Sequence, residues 1–504
     1  MYVFIFRRDF RLVDNLGFIK CICEAKKHDQ EVLPIFIYNK TQIDPDKNKY
    51  FSNNSMQFLV ESIRSLEDQL RAKGGVLHKF LVNSMEEEAD VILSMIPKVT
   101  HVYTNMDLTP FARQRDDMLK TKLTGQVSFS CIEDYTLFRM DEPKTKTQSG
   151  STYQVFSFLY KKIDALHKII PKVSDLPFNL DTIMKKSNEI GMKKKKKKIN
   201  DEDFFTPNDD LAVNGGRDEG LKRLATLEKN KFRDYEDSRN EMANENGTTR
   251  LSAYLKYGCL SIREVYWMAF KAYGLNNPIN RELFFREFYY NIVWNHPRVL
   301  KGMFQMEKKK KNKKNESFTD LGIQWDTSPK AIKNFEAWKN GKTGVPLVDA
   351  GMRQMNATGF MHNRARMVTS MFLIKNLFID WRWGEKYFAS RLVDYDPSQN
   401  NAGWIWSSSL APYATPYYRT MNPYIQQQRF DKDAEYVKKW VPELKDVPVK
   451  NIALWENEEM RTKKIMSSTD YPKPIIEDHT SVVSNVEKKY KELYKEKKKK
   501  KEKE

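Results

Sequence analysis

Five short apolar runs stand out in the first part of the chain, separated by stretches of helical periodicity. YVFIF (Tyr2 to Phe6), VLPIFIY (Val32 to Tyr38), VLHKFLV (Val76 to Val82), VTHVYTN (Val99 to Asn105) and QVSFSCI (Gln126 to Ile132) have the length and β-branched content of buried strands. Between them, SMQFLVESIRSLEDQLRAKG (Ser55 to Gly74) and PFARQRDDMLKTKL (Pro110 to Leu123) repeat apolar positions at helical spacing. The alternation predicts an open α/β domain over residues 1–135, a parallel sheet with helices on both faces. Neither GxGxxG nor GxxxxGK[ST] occurs in it, so a dinucleotide or nucleoside triphosphate loop after the first strand is not supported. RRDFRL (Arg7 to Leu12) follows that strand, where such sheets place ligand loops. A solvated basic turn pairing with Asp9 and Asp14 fits the same residues equally well.

From 136 to 205 the periodicity lapses. We read this segment as an interdomain connector, with GSTYQVFSFLYKKI as a docking helix followed by lysine-rich low complexity. Helical patterns then dominate (TRLSAYLKYG, SIREVYWMAFKAYG, RELFFREFYYNIVW, GVPLVDAGMRQM, ARMVTSMFLIKNLFIDW) and predict an all-α domain over 206–465. All ten Trp residues lie between Trp267 and Trp455. Residues 466–504 read as a charged tail, at most a fraying helix.

The formal charge is +19, but three lysine-rich runs (193–198, 307–314 and 487–504) supply +16 of it. Net charge therefore says little about a folded nucleic-acid face; such runs are usually solvated and disordered. Four Cys in so long a chain fit a reducing compartment, and the seven scattered His show no metal-ligand spacing, so no metal site is expected. There is no apolar run near ~18 residues and no cleavable leader. The expectation is a soluble intracellular protein, nuclear or cytoplasmic.

The candidate chemistry centres on DYDPSQNNAGWIW, Asp394 to Trp406. It gathers two carboxylates, two Asn and two Trp, groups that a plain core has no reason to assemble. Upstream, FMHNRARMVTS puts Asn363, Arg366 and Met367 on one helix face, and Arg366 is placed to pair with Asp394. Together they predict the walls of a pocket for a large, planar, hydrogen-bonding ligand. GTTRLS, Gly247 to Ser252, is either an anion site at a helix start or an ordinary N-cap. RELFFREFYY aligns Glu282, Phe285, Arg286 and Tyr289, and a plain Glu282–Arg286 ion pair against an aromatic core explains that helix by itself. Trp381, Trp404 and Trp406 are singly ordinary core residues; with the acid/amide pocket they suggest an aromatic-rich redox cofactor site.

RRDFRL, GTTRLS, RELFFREF, WKNGKTGVPLVDAGMRQM, HNRARM and DYDPSQNNAGWIW, in this order and spacing, resemble the photolyase/cryptochrome flavoprotein family over residues 1–450 or so, most of all class I enzymes acting on cyclobutane pyrimidine dimers. The resemblance implies an α/β antenna domain and a helical domain holding folded FAD. Tyr235, Thr248, Thr249, Arg250, Leu251 and Ser252 would surround its phosphates and ribityl chain. Arg286, Asn363, Arg366, Asp394 and Asp396 would surround the flavin, with the amide of Asn400 near N5. Trp404, Trp381 and Trp325 resemble an electron relay to the surface. Glu282, Asn363, Met367 and Trp406 resemble the lesion pocket, Glu282 as a hydrogen-bond donor when protonated. Arg239, Arg364 and Arg419 resemble contacts to the DNA backbone. The implied partner is UV-damaged DNA, bound by a monomer. The implied second chromophore is a folate or deazaflavin antenna, although Ala112 stands where an acidic folate contact is expected. Phe285 and Phe360 stand where Trp is usual, and LAPYA (Leu410 to Ala414) departs from the family's loop. Two alternatives remain: repair of (6-4) photoproducts, for which the resemblance asks two His where this chain has Asn363 and Met367, with His362 one place earlier; and a cryptochrome-like photoreceptor without repair.

Overall fold

The computed structural model describes residues 1–503 except 182, 185–198, 230, 302–322 and 411–417. The lysine runs at 193–198 and 307–314 and most of LAPYA lie outside the described residues. Five parallel strands form one sheet in the order β3-β2-β1-β4-β5: β1 Tyr2–Phe6, β2 Val32–Asn39, β3 His78–Val82, β4 His101–Asn105 and β5 Ser128–Ile132. Helices α1 Leu16–Lys27, α2 Asn53–Arg71, α3 Met85–Leu93 and α4 Pro110–Leu123 cross over between them. The strands coincide with the five apolar runs, and α1 and α3 are additional to the two helices read from periodicity. The start of α1 packs closely on β4: a Cβ on Gly17 would meet Asn105 Oδ1 at 2.3 Å.

The two-residue period of β1 divides the core. Val3 and Ile5 join an aliphatic cluster with Ile35, Val102, Ile92 and Leu119, under α3 and α4. Tyr2, Phe4 and Phe6 face the other way, into a cluster continuous with the helical domain. Both faces are covered, which is why the strands read as unbroken apolar runs.

The connector carries the short helix α5 Phe156–Tyr160 and returns to the sheet, where Met184 bridges to Val32. The helical domain supplies α6 Ser252–Lys256, α7 Pro278–Asn295, α8 Pro346–Thr358, α9 Asn363–Met371, α10 Trp381–Arg391 and α11 Pro397–Ser408. Most starts carry a signal: Asn277 accepts from Asn280 N at 2.8 Å before α7, and Asp380 accepts from Arg382 N at 3.0 Å before α10. The segment after 466 packs on the helical domain as far as Tyr494. Tyr471 is buried and donates to Asp349 at 2.5 Å, and helix α12 His479–Lys503 docks on the helical domain. Among the described residues no helix is long and apolar enough to cross a membrane.

RRDFRL is neither a solvated turn nor an open ligand loop. Arg8 pairs with Asp107 at 2.9 Å and with Asp396 of the helical domain at 3.1 Å. Arg11 meets Asp134 at 2.5 Å, and Arg263, fully buried, bridges Asp14 at 2.8 Å and Asp134 at 2.7 Å. The motif seals the two domains together, and so it positions α11.

Candidate functional site

Helix α9 begins where Gly359 (φ +66°) ends α8 and the His362 ring accepts from Arg364 N at 3.1 Å. That start sets Asn363, Arg366 and Met367 on one face. The expected pair forms: Arg366 Nη2 lies 3.1 and 3.0 Å from the two oxygens of Asp394, while its Nε donates to Met361 O at 2.8 Å. Ser252 Oγ donates to the same carboxylate at 2.7 Å. Asp394 thus ties GTTRLS to α9 and α11.

In GTTRLS the N-cap explanation fails, since no side chain caps α6 and the Ser252 hydroxyl is spent on Asp394. Arg250 instead adopts φ +50°, a left-handed conformation of the kind that occurs in backbone anion-binding turns. Its Nε is buried without a hydrogen-bond partner, and burial and Arg223 lower its pKa. Arg250 and Arg366 approach the Phe360 ring at 5.3 and 5.6 Å. Thr248, Arg250, Gln354, Phe360, His362 and Lys439 line part of a cavity of about 260 Å³. An orphaned guanidinium N–H beside a threonine hydroxyl suits a diphosphate, so these residues fit the phosphate side of FAD. Tyr235, 8% exposed, is buried beside Thr249.

Asp396 departs from expectation. Its Oδ1 accepts from Ser398 N at 2.9 Å and Gln399 N at 3.2 Å, capping α11. Its Oδ2 accepts from Arg8 at 3.1 Å and from Tyr290 OH at 2.7 Å. Burial raises its pKa, but Arg8 and the Tyr290 hydroxyl outweigh this and hold it below the usual range. All four acceptor positions are used within the protein, which leaves none for a ligand. Arg286 spends Nη1 on Tyr135 O at 2.8 Å and Glu287 at 3.1 Å, and does not form the Glu282 pair.

Asn400 donates its amide to Glu385, at 3.1 Å to Oε1 and 3.2 Å to the backbone carbonyl. Its remaining side-chain group is therefore Oδ1, an acceptor, not the donating amide expected beside N5. Glu385 was not foreseen. It is 4% exposed, and burial pushes its carboxyl up to about 7 against the bonds from Asn400 and Tyr50.

The rim carries Glu282, which accepts from Arg239 at 2.6 Å; Arg239 also holds Glu236 at 2.7 Å. The surrounding protein raises the Glu282 pKa and Arg239 opposes it, although half of the side chain is open to solvent. In this structure the Glu282 carboxyl faces Arg239. Asn363 Nδ2 lies 3.9 Å from Met367 Sδ. Arg364 binds Asn240 and lies over Phe430, and Arg419 lies 5.0 Å from the Trp406 ring. Phe285 is not a free shelf: Phe156 of the connector stacks flat on it, centroids 3.4 Å apart and 13° between planes.

Trp404 is buried edge-on to Phe388 at 4.9 Å and Trp338 at 6.2 Å, in room that only a glycine at 384 leaves, since a Cβ there would lie 2.2 Å from its ring. Trp381 starts α10 and is 2% exposed; Trp325 is half-buried against Phe378 at 5.3 Å. Trp338, fully buried with Nε1 donating to Thr369 O at 3.0 Å, was missed by sequence reasoning.

Residues 279–492 match the family model described as the FAD binding domain of DNA photolyase, and residues 2–177 the model described as DNA photolyase. A deoxyribodipyrimidine photo-lyase of Alkalihalophilus pseudofirmus is 33% identical over 94% of both chains, and that of Escherichia coli is 31% identical over the same shares. An archaeal photolyase of Sulfolobus tokodaii, solved with two FAD molecules, superposes with a TM-score of 0.76 at 32% identity over 97% of this chain and 99% of the other. A cryptochrome of Synechocystis shares the fold, TM-score 0.80, at 24% identity over 97% of this chain and 98% of the other.

Proposed function

This chain belongs to the photolyase/cryptochrome family, and from that premise we propose that it repairs DNA in light by splitting cyclobutane pyrimidine dimers. The reading is supported by the Ser252–Asp394–Arg366 node, with Asn363 and Met367 on the same helix as Arg366, and by Glu282, which Arg239 holds.

Thr248, Thr249, Arg250, Leu251 and Ser252 would hold the phosphates and ribityl chain of FAD, and Arg366, Asp394 and Asn400 its ring. Bound FAD supplies light-driven electron donation to the dimer, returned once the two ring bonds have broken, so no net redox change remains. The protein holds the geometry. Arg366 places a fixed positive charge in the pocket while Asp394 and Met361 O keep it from swinging away. Glu282 and Asn363 orient the pyrimidine edges through hydrogen bonds, and the Glu282–Arg239 pair sets positive charge near the carbonyl that becomes electron-rich. Photolyases, like other base-flipping enzymes, take their target out of the stack, a cost least for damaged bases. Trp406 offers the extruded dimer a flat ring, and Arg239, Arg364 and Arg419 meet the flanking phosphates with salt-sensitive affinity.

The two-domain division is part of the proposal, with the sheet domain as antenna support. The (6-4) alternative gains nothing from His362, which is 3% exposed, serves as a helix cap, and is pushed down to about 4 by burial and by Arg364 and Arg366. The test is blue light on reduced protein with DNA carrying one defined photoproduct. Loss of the cyclobutane dimer supports the reading; loss of a (6-4) product alone, or of neither with reduced FAD bound, rejects it.

A further inference from the structure

Two tryptophans of α11 are held differently. Trp404 is packed in the core, whereas Trp406, the ring offered to the extruded dimer in the reading above, is only half-buried. Its aim depends on the last turn of α11, and the carbonyls of a final helical turn have no partner within their own helix. Here they are met from outside. Ser408 O accepts from Lys375 Nζ at 3.0 Å, and Ser409, left-handed at φ +62°, has its carbonyl bonded by Tyr494 OH at 2.7 Å. Tyr494 belongs to α12, whose buried face runs through Tyr490 and Val486, one and two turns earlier.

Lys375 is the pin. It stands on a wide turn that continues α9, where Leu377 N bonds Phe372 O at 3.1 Å. The side chain is fully buried. Its ammonium lies 3.8 Å from the Tyr490 ring and 4.3 Å from the Tyr418 ring, and the two rings meet edge-to-face at 5.1 Å. Burial pushes the Lys375 pKa well down, and two ring faces and a carbonyl favour the charged form against it. The hydroxyls of Tyr418 and Tyr490 are buried with no hydrogen-bond partner, so it is the rings that hold the ammonium. Tyr418 precedes Arg419, whose guanidinium lies 5.0 Å from the Trp406 ring. Ser370 of α9 and Ser407 also share a buried hydrogen bond of 2.8 Å, which joins the end of α11 to the helix carrying Asn363 and Met367. Trp406 is thus reached by two routes, through the end of its own helix and through Arg419. Both lead to α12.

We propose that the docked half of α12 is a positioning device for recognition of the dimer: Tyr490, through Lys375 and Tyr418, and Tyr494, through Ser409, fix the Trp406–Arg419 pair. The inference rests on the damaged-DNA reading above. The test uses the full chain with FAD bound, in two measurements. The first is amide hydrogen exchange over 405–410 without DNA. The second is affinity for a short duplex, undamaged or carrying one cyclobutane dimer. In Tyr490→Ala the exchange quickens, FAD stays bound, and the preference for the dimer-containing duplex falls ~10-fold, the scale of a desolvated cation–π contact. Tyr490→Phe keeps the ring and restores both. Tyr494→Phe, at a position 39% exposed, removes only the Ser409 bond and lowers the preference ~5-fold, near the worth of one hydrogen bond. Should Tyr490→Ala fail to fold, Tyr494→Phe decides. Equal weakening on both duplexes, or an unchanged preference in Tyr494→Phe, overturns the positioning role. A deficit that Tyr490→Phe does not restore overturns the pin. Light-driven dimer loss by the unaltered protein is scored on the same duplex. If that protein neither prefers nor repairs the dimer while exchange responds in the variants, the repair reading falls and the hold on Trp406 stands; unchanged exchange overturns the hold.

Discussion

The seam between the domains and the candidate pocket are built from the same residue types, arginine and aspartate, to opposite ends. At the seam, Arg8, Arg11 and Arg263 each meet buried carboxylates, and Asp14, Asp134 and Asp396 are bonded on more than one side. In the pocket, Arg366 shares one carboxylate with Ser252, and Arg250 has a buried N–H with no partner beside a second guanidinium, Arg223. Buried guanidinium N–H groups without a partner occur in both regions, Arg11 Nε at the seam and Arg250 Nε in the pocket; what differs is that each seam arginine has a carboxylate within 3.1 Å, whereas Arg250 sits beside another guanidinium.

The largest effect should follow from breaking the seam. Arg263→Met leaves Asp14 and Asp134 buried with one cation fewer, which costs about 3–5 kcal/mol. Thermal unfolding should show a large loss of stability, and an unshifted midpoint would mean that the seam does not hold the domains. On the pocket side, Glu282→Ala should keep FAD bound but lower repair yield by ~10-fold or more, the worth of a hydrogen bond to a charged group. Undiminished dimer loss per absorbed photon would remove Glu282 from the site.

Glu385 gives the pocket a pH signature. Its folded pKa of about 7 lies above the ordinary glutamate value, so the folded state binds the proton more tightly. The stabilisation is complete below the unfolded pKa and is lost as pH rises towards 7, an effect on the order of 3 kcal/mol. Glu385→Gln should flatten the fall in stability between pH 5 and 8; a variant that falls as steeply as the natural protein shows that another group is responsible. The smallest change in repair is expected from Trp381→Phe, which should slow photoreduction of oxidised flavin severalfold and leave repair by prereduced protein intact. Equal photoreduction would shift attention to Trp338, whose ring lies 6.2 Å from Trp404.

The strands were legible because burial on both faces leaves unbroken apolar runs, and Arg366 with Asp394 because helical spacing sets one wall of the pocket and a carboxylate must answer it. RRDFRL was misread because its partners, Asp134, Arg263 and Asp396, lie far along the chain. Asp396 carried its own warning. Asp-Pro at a helix start is a capping signal, and the cap consumes one oxygen. Glu385 gave none, since a glutamate at ordinary helical spacing becomes a buried acid only through the packing of α10 on α11. The docking of α12 was hidden by its lysines, which mask a sparse apolar face at Val486, Tyr490 and Tyr494.

The absorption spectrum of the purified full-length protein tests the central claim most directly. The account predicts a flavin band with close to one FAD per chain, and its loss in Arg250→Ala as the unpartnered donor disappears. A colourless protein that takes up no added FAD would contradict it.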